Sequence, residues 1–228
     1  MTSVTVLPCA VVTGAEHIWT IVVGGGSGQR FGTLKQYERL GERRVIDHAR
    51  AVAEAACDGV VVVVPADDAE RERAVAGGAT RSESVRAGLA AVPTDATIIC
   101  VHDAARPFAT PELFGRVIDA VVAGADGAVP AVAVTDTIKI VADGTVVSTP
   151  DRSSLVAVQT PQAFRAAILR RAHDSGDAST DDAALVEQIG GHVVVVAGEP
   201  DNRKITHPDD LEWARRRLVA TDPRGSTS

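Results

Sequence analysis

Apolar residues along this chain gather in short unbroken runs separated by stretches with helical spacing. Ile18 to Val23, Val60 to Val64, Thr97 to Val101, Ala128 to Val134 and Val193 to Val196 are the runs. A strand covered on both faces reads as continuous apolar sequence, whereas a half-exposed strand alternates, so these runs predict buried strands of a mainly parallel sheet. Between them, Val45 to Ala56 and Ser82 to Ala91 place apolar residues at helical spacing. Thr110-Pro111-Glu112 opens a helix reaching Gly124, with threonine as N-cap and proline at the first helical position. Thr206-His207-Pro208-Asp209 opens a last helix through Leu218. Strands alternating with helices predict one doubly wound α/β domain over 18–220.

The pattern changes between Thr135 and Val158. Thr137 to Val141, the pair Asp143-Gly144, and Val146-Val147 read as a β-hairpin with its turn at Asp-Gly. An arm with so little core of its own is expected to pack on a partner subunit. Residues 1–17 read as an N-terminal extension and 221–228 as a flexible tail.

Composition narrows the function. A chain of 228 residues buries roughly three-quarters of its unfolded surface, so the core needs no disulfide or metal. Charged residues at 23% and apolar ones at 45% exclude general disorder. Aromatics at 3% and a net charge of −7 argue against a stacking platform or a basic surface for nucleic acid. Val4 to Val12 is broken by Pro8 and lacks a basic flank, and no run nears the ~20 apolar residues of a membrane span. Cys9, Cys57 and Cys100 are scattered without metal-binding spacing, which fits reduced apolar fillers in a cytoplasmic protein. Among 23 basic residues only Lys35, Lys139 and Lys204 are lysines, so a retained lysine marks a place where a compact ammonium serves better than a planar fork.

Ligands of open α/β sheets bind at the loops beyond the carboxyl ends of the strands. Gly24-Gly25-Gly26-Ser27-Gly28 follows the first strand, and consecutive glycines let backbone N–H groups approach phosphate oxygens. The stretch is neither a P-loop, lacking Gly-Lys, nor a GxGxxG dinucleotide fingerprint, since Gly26, Gly28 and Gly32 are spaced one residue too wide. That makes a NAD-dependent dehydrogenase a poor reading. Arg30 and Lys35 just downstream instead suit phosphoryl or nucleotidyl transfer, where charge spreads over non-bridging oxygens. A second constellation, His102-Asp103-Ala104-Ala105-Arg106-Pro107, puts a carboxylate just past a buried strand, where it can meet magnesium, with Arg106 close by for a phosphate. His102 reads as a local hydrogen-bonding residue, and the other histidines as surface or capping residues.

These residues together resemble the 2-C-methyl-D-erythritol 4-phosphate cytidylyltransferase family. The first loop with Lys35-Gln36-Tyr37 is similar to its signature loop, and Gly77-Gly78-Ala79-Thr80-Arg81-Ser82-Glu83-Ser84-Val85 to its cytosine-side segment. The His102 to Pro107 segment, Asp136-Thr137-Ile138-Lys139, Gln159-Thr160-Pro161-Gln162-Ala163-Phe164, Thr180-Asp181-Asp182-Ala183 and Lys204-Ile205-Thr206 follow in the family's order. The resemblance implies a Rossmann-like (GT-A-like) nucleotidyltransferase that is homodimeric through its arm and uses CTP, a sugar-alcohol phosphate and magnesium. By motif, Arg30 and Lys35 would stabilise the pentavalent α-phosphate, and Arg152 and Lys204 would hold the acceptor phosphate in line. Gly24, Gly25, Gly26, Gly28, Gly78 and Ser84 would hold CTP, and Asp103 would bind magnesium. Arg106, Thr137 and Thr180 would contact the alcohol phosphate, and Lys139 has no assigned contact. Leu34 stands where the family usually has proline, and the Arg30 to Lys35 interval is about two residues shorter than usual. The alternatives are a ribitol 5-phosphate cytidylyltransferase and a catalytically impaired nucleotide-binding paralogue.

Overall fold

A computed structural model describes residues 16–25, 34–174, 179 and 181–221. In chain order the strands and helices are β1 (Ile18–Val23), β2 (Arg39–Leu40), β3 (Arg43–Arg44), α1 (Val45–Ala56), β4 (Gly59–Val64), α2 (Ala69–Glu72), β5 (Val75–Ala76), α3 (Arg81–Ala91), β6 (Ile98–Asp103), α4 (Pro111–Val122) and β7 (Gly127–Ala133). There follow β8 (Ile140–Ala142), β9 (Thr145–Ser148), β10 (Val156–Val158), β11 (Gln162–Arg165), α5 (Ala166–Asp174), α6 (Asp182–Gln188), β12 (Val193–Ala197) and α7 (Pro208–Thr221).

One eight-stranded sheet runs β10-β7-β11-β6-β1-β4-β5, with β12 also paired to β7. β1 lies parallel between β4 and β6, and β12 runs parallel to β7. The runs at β1, β4, β6 and β7 lie inside this sheet, and every residue of β6 is buried. The Val193 run, expected to be buried, is instead the flanking strand β12, with Val195 57% exposed because β12 pairs only with β7. Two strands of this sheet run against the parallel expectation. β11 enters antiparallel between β6 and β7, and β10 pairs antiparallel with the far end of β7.

Two apolar layers sandwich the sheet. On one face Ile46, Ala49 and Ala53 of α1 and Leu113, Phe114 and Val117 of α4 pack with Val22, Ile98 and Cys100. On the other, Val85 and Leu89 of α3, Leu169 of α5 and Leu185 and Val186 of α6 pack with Ile21, Val63 and Ile99. Strands of a parallel sheet are covered on both sides, which is why their sequences do not alternate. α3 reaches the sheet closely because of Gly88: a Cβ there would stand 2.5 Å from Ile21 Cγ2. The N-cap expected at Thr110 is present, its Oγ1 accepting from Leu113 N at 3.1 Å.

The arm is the expected hairpin, β8 and β9 joined at Asp143-Gly144, both with positive φ (48° and 75°) as a two-residue hairpin turn requires. Its apolar residues Ile140, Val141, Val146 and Val147 are each more than half exposed. Lys139 Nζ bridges its two strands through Thr149 Oγ1 at 2.7 Å. Among the described residues no helix is long and apolar enough to cross a membrane.

Candidate active site

Register decides what meets at the carboxyl end of the sheet. Val23 of β1 lies opposite Asp103 of β6, so Gly24-Gly25 and Asp103 emerge side by side. Asp103 is the last residue of its strand, whereas the apolar run ending at Val101 predicts a position just past it. Ala104 N donates to Val23 O at 2.9 Å and Gly24 N to Val63 O at 2.7 Å, which ties both loops to the sheet.

A cavity of about 300 Å³ opens there, and Arg81, Asp103, Arg106, Thr160, Gln162 and Lys204 are among its lining residues. Asp103 is 7% exposed. Lys204 Nζ donates to its Oδ2 at 2.6 Å, and Arg81 Nε lies 3.4 Å from its Oδ1. Burial alone would raise the Asp103 pKa, but the adjacent Lys204 and Arg81 charges outweigh it and hold the carboxyl well below the usual carboxylate range. It is an anion at any physiological pH.

Beneath Asp103 runs a fully spent hydrogen-bond chain. Asp103 N donates to Thr160 Oγ1 at 2.9 Å. Thr160 Oγ1 and His102 Nδ1 are 3.1 Å apart, and His102 Nε2 and Arg106 O 3.2 Å. One assignment satisfies every atom: Thr160 donates to Nδ1, and Nε2–H donates to the carbonyl. Burial pushes the His102 pKa down to about 4, so the ring is neutral and serves as the local hydrogen-bonding residue expected from sequence. Arg106 Nη1 donates to Asn202 O at 2.7 Å, and its Nε is buried with no partner among the described residues.

The nucleotide-side residues also converge. Ser84 is buried and donates to Thr80 O at 3.0 Å. A Cβ placed on Gly25 or Gly77 would stand 2.7 Å or 2.8 Å from Ser84 Oγ, and one on Gly78 2.2 Å from Glu83 Cβ. The β1 loop and the 77–84 segment thus abut at a seam only glycine fits. Thr80 caps α3, its Oγ1 accepting from Glu83 N at 3.1 Å, while Thr80 N donates to Glu83 Oε2.

Other sequence candidates stand apart. Lys35 opens a 3₁₀ turn, Lys35–Tyr37, whose Tyr37 ring is flanked by the Arg44 and Arg71 guanidiniums at 5.5 Å and 5.1 Å; it does not line the cavity. Arg152 and Thr137 are exposed on the arm side, and Arg152 Nη1 donates to Thr135 O at 2.9 Å. Neither lines the cavity of its own chain. Gly26, Gly28, Arg30 and Thr180 lie outside the described residues. His173, expected at the surface or in a cap, is buried and lies 3.0 Å from Asp182 Oδ1 through Nε2.

Arg81, Gln159, Gln162 and Asp181 received no role from sequence, although each lies inside a quoted motif. Their shared signal is only visible as a cavity lining. Behind it, Asp182 is also shifted. Burial opposes its ionisation, but the His173 hydrogen bond and the Arg81 charge win, and its pKa falls below the ordinary 3.8. The folded protein therefore binds fewer protons at this site than the unfolded chain, so the stability it contributes is present above about pH 4 and lost below it. The thermal midpoint should drop as pH falls from about 4 to 2, and Asp182→Asn should flatten that acid limb. An equally steep limb in the variant, followed by circular dichroism, would contradict the assignment.

The 2-C-methyl-D-erythritol 4-phosphate cytidylyltransferase family model matches residues 18–219. A protein of that name from Rubrobacter xylanophilus is 43% identical over 225 residues, covering 90% of this chain and 96% of the relative. The bifunctional enzyme IspD/IspF of Anaeromyxobacter dehalogenans is 46% identical over 228 residues, covering 90% of this chain and 58% of the relative. The chain thus spans little more than half the length of such bifunctional relatives. The crystal structure of 4-diphosphocytidyl-2C-methyl-D-erythritol synthase from Anaerococcus prevotii superposes with a TM-score of 0.79 at 29% identity, covering 89% of this chain and 98% of that one.

Proposed function

This chain belongs to the 2-C-methyl-D-erythritol 4-phosphate cytidylyltransferase family, and we propose that it transfers CMP from CTP to 2-C-methyl-D-erythritol 4-phosphate with release of pyrophosphate, a step of isoprenoid precursor synthesis. The observation that carries the reading is the Asp103–Lys204 pair in a polar cavity directly beside the Gly24-Gly25 turn. An acceptor phosphate oxygen attacks the α-phosphorus of CTP, and the bond to the bridging oxygen of the β-phosphate breaks. That nucleophile is already ionised, so the reaction needs no general base. The neutral, fully hydrogen-bonded His102 is consistent with that. What remains is positioning and charge neutralisation.

We assign Lys204 to this work. Its side chain is 38% exposed at the cavity, and its flexible stem can pass the ammonium from Asp103 to a phosphoryl oxygen. Arg106, Thr137 and Thr180 are assigned to the alcohol phosphate, Arg152 to the same end, and Arg30 and Lys35 to the α-phosphate. Gly24, Gly25, Gly26, Gly28, Gly78 and Ser84 are assigned to CTP.

Among the described residues no three His, Cys, Asp or Glu side chains gather into a metal cluster. Asp103 is an ionised carboxylate at the cavity, which fits a cation that takes most of its ligands from water and phosphate oxygens, as magnesium does. When bound, magnesium neutralises charge on the triphosphate, and Asp103 is the residue that would hold it. CTP is a cytoplasmic nucleotide, and the reaction is placed in that compartment.

The arm is assigned to a homodimer. Its exposed Ile140, Val141, Val146 and Val147 form an apolar surface that a second copy can cover, and neither Arg152 nor Thr137 lines the Asp103 cavity of its own chain.

Pyrophosphate release from CTP and magnesium tests the function, with each alcohol phosphate in turn. Release with 2-C-methyl-D-erythritol 4-phosphate is expected. Release with ribitol 5-phosphate alone would reassign the acceptor, and intact CTP binding without release would make this chain the impaired paralogue. Nucleotide choice gives a further expected result. CTP should be turned over well ahead of UTP or ATP, because a site that hydrogen-bonds one base edge leaves groups unpaired with another. Gly25→Ala pushes a methyl onto Ser84 Oγ, and overpacking of about 1–3 kcal/mol should raise KM for CTP roughly tenfold. An unchanged KM would remove the seam from the nucleotide site.

A further inference from the structure

Arg81 lines the cavity and joins it to two buried side chains behind, Asp182 and His173, that the reaction above does not use. Arg81, the first residue of α3, directs Nη1 to Asp182 Oδ2 at 2.7 Å and Nε toward Asp103 Oδ1 at 3.4 Å. Asp182, the first residue of α6, is 1% exposed, and its Oδ1 accepts from His173 Nε2 of α5 at 3.0 Å. Ser82 adds a second tie: its Oγ donates to Ser179 O at 2.6 Å and accepts from Ser179 N at 2.9 Å. Three helix ends and the last residue of β6 thus meet around one guanidinium.

The two cations on Asp103 are held very differently. Lys204 has a short contact but stands on a flexible stem, partly in solvent. Arg81 makes the longer contact, yet its fork is seated on a buried carboxylate that is itself fixed from behind. If Lys204 turns to a phosphoryl oxygen, Asp103 loses its nearest partner, and a buried carboxylate left alone is strongly disfavoured. A guanidinium can face two carboxylates at once, which an ammonium cannot do with fixed geometry.

We propose that Arg81, anchored by Asp182 and His173, is the positioning residue that keeps Asp103 oriented and charge-matched while Lys204 engages the reacting phosphates. The inference rests on the cytidylyltransferase reading and extends it to a residue outside the substrate contacts. It requires that losing Arg81 harm turnover more than nucleotide binding. A role in folding alone would act on melting temperature and leave each folded molecule with normal kcat.

The test compares Arg81→Met, Arg81→Lys and Asp182→Asn with the wild-type protein. It measures kcat per folded molecule, KM for both substrates, CTP affinity by calorimetry and melting temperature. Arg81→Met should lower kcat by ~10²-fold, the scale of an ångström of misplacement, with CTP affinity nearly unchanged. Arg81→Lys keeps the charge but reaches one carboxylate, so it should stay well below wild type. Asp182→Asn keeps the guanidinium on a looser seat and should fall between. If Arg81→Met does not fold, the other two variants decide by the same kcat-against-KM split. Normal kcat, or losses confined to CTP affinity or melting temperature, would overturn the proposal. A wild-type protein that releases no pyrophosphate would instead overturn the functional reading beneath it.

Discussion

Lys204→Met is expected to lower kcat for pyrophosphate release by ~10²–10³-fold while changing CTP affinity much less. The reason is the distribution of charge in the cavity. Of the cations among the described residues that line it, Arg81 is committed to Asp182, and Arg106 spends Nη1 on Asn202 O. Lys204 alone joins a partly exposed, flexible side chain to a single partner at the cavity surface. A donor that strengthens its bond as charge builds on the phosphorane lowers the barrier without tightening the ground state. Single-turnover and steady-state rates with CTP and the alcohol phosphate would check this. A variant with near-normal kcat would show that Lys204 only balances Asp103. Removing its charge should also leave Asp103 with Arg81 alone, so a modest loss of stability should accompany the loss of rate.

Mixing Arg152→Gln with Lys35→Met protein, each nearly inactive by itself, should restore activity to roughly a quarter of wild type. In a two-fold dimer each arm would deliver Arg152 and Thr137 to the neighbouring cavity, while Lys35 and Lys204 stay in the home subunit. Random reassociation makes half the dimers mixed, and each mixed dimer carries one intact site. The placement of the arm is compatible with that geometry: Arg152 and Thr137 are exposed and do not line the cavity of their own chain. A site complete within one subunit gives no rescue, because every cavity keeps a lesion. Refolding the variants together, confirming heterodimers by mass and assaying pyrophosphate release distinguishes the outcomes. No recovery in confirmed heterodimers would rule out the shared site.

How much of this was legible before the fold can be traced residue by residue. The central strands and α1, α3, α4 and α7 follow from local pattern, because burial on both faces, helical spacing and caps such as Thr110 act within one element. The arm's turn follows from Asp143-Gly144, since positive φ at both positions suits those residue types. The motifs located the glycine turn, Asp103, Arg106 and Lys204 without any coordinates. The glycine loop and its cations suited phosphoryl or nucleotidyl transfer, and the resemblance to the cytidylyltransferase family narrowed that to cytidylyl transfer.

The rest was decided by tertiary structure. β11 is four residues, too short for a period, and its antiparallel place between β6 and β7 depends on both neighbours. Asp103 is one carboxylate in the sequence, but its environment comes from Arg81, 22 positions away, and Lys204, 101 away. The Arg81–Asp182 pair likewise spans 101 positions. No local pattern encodes such meetings, because they depend on sheet order and on the parallel register that sets Val23 beside Asp103. Periodicity records which side of an element is buried. Which charged groups share that burial is settled only when the crossovers bring the strand ends together.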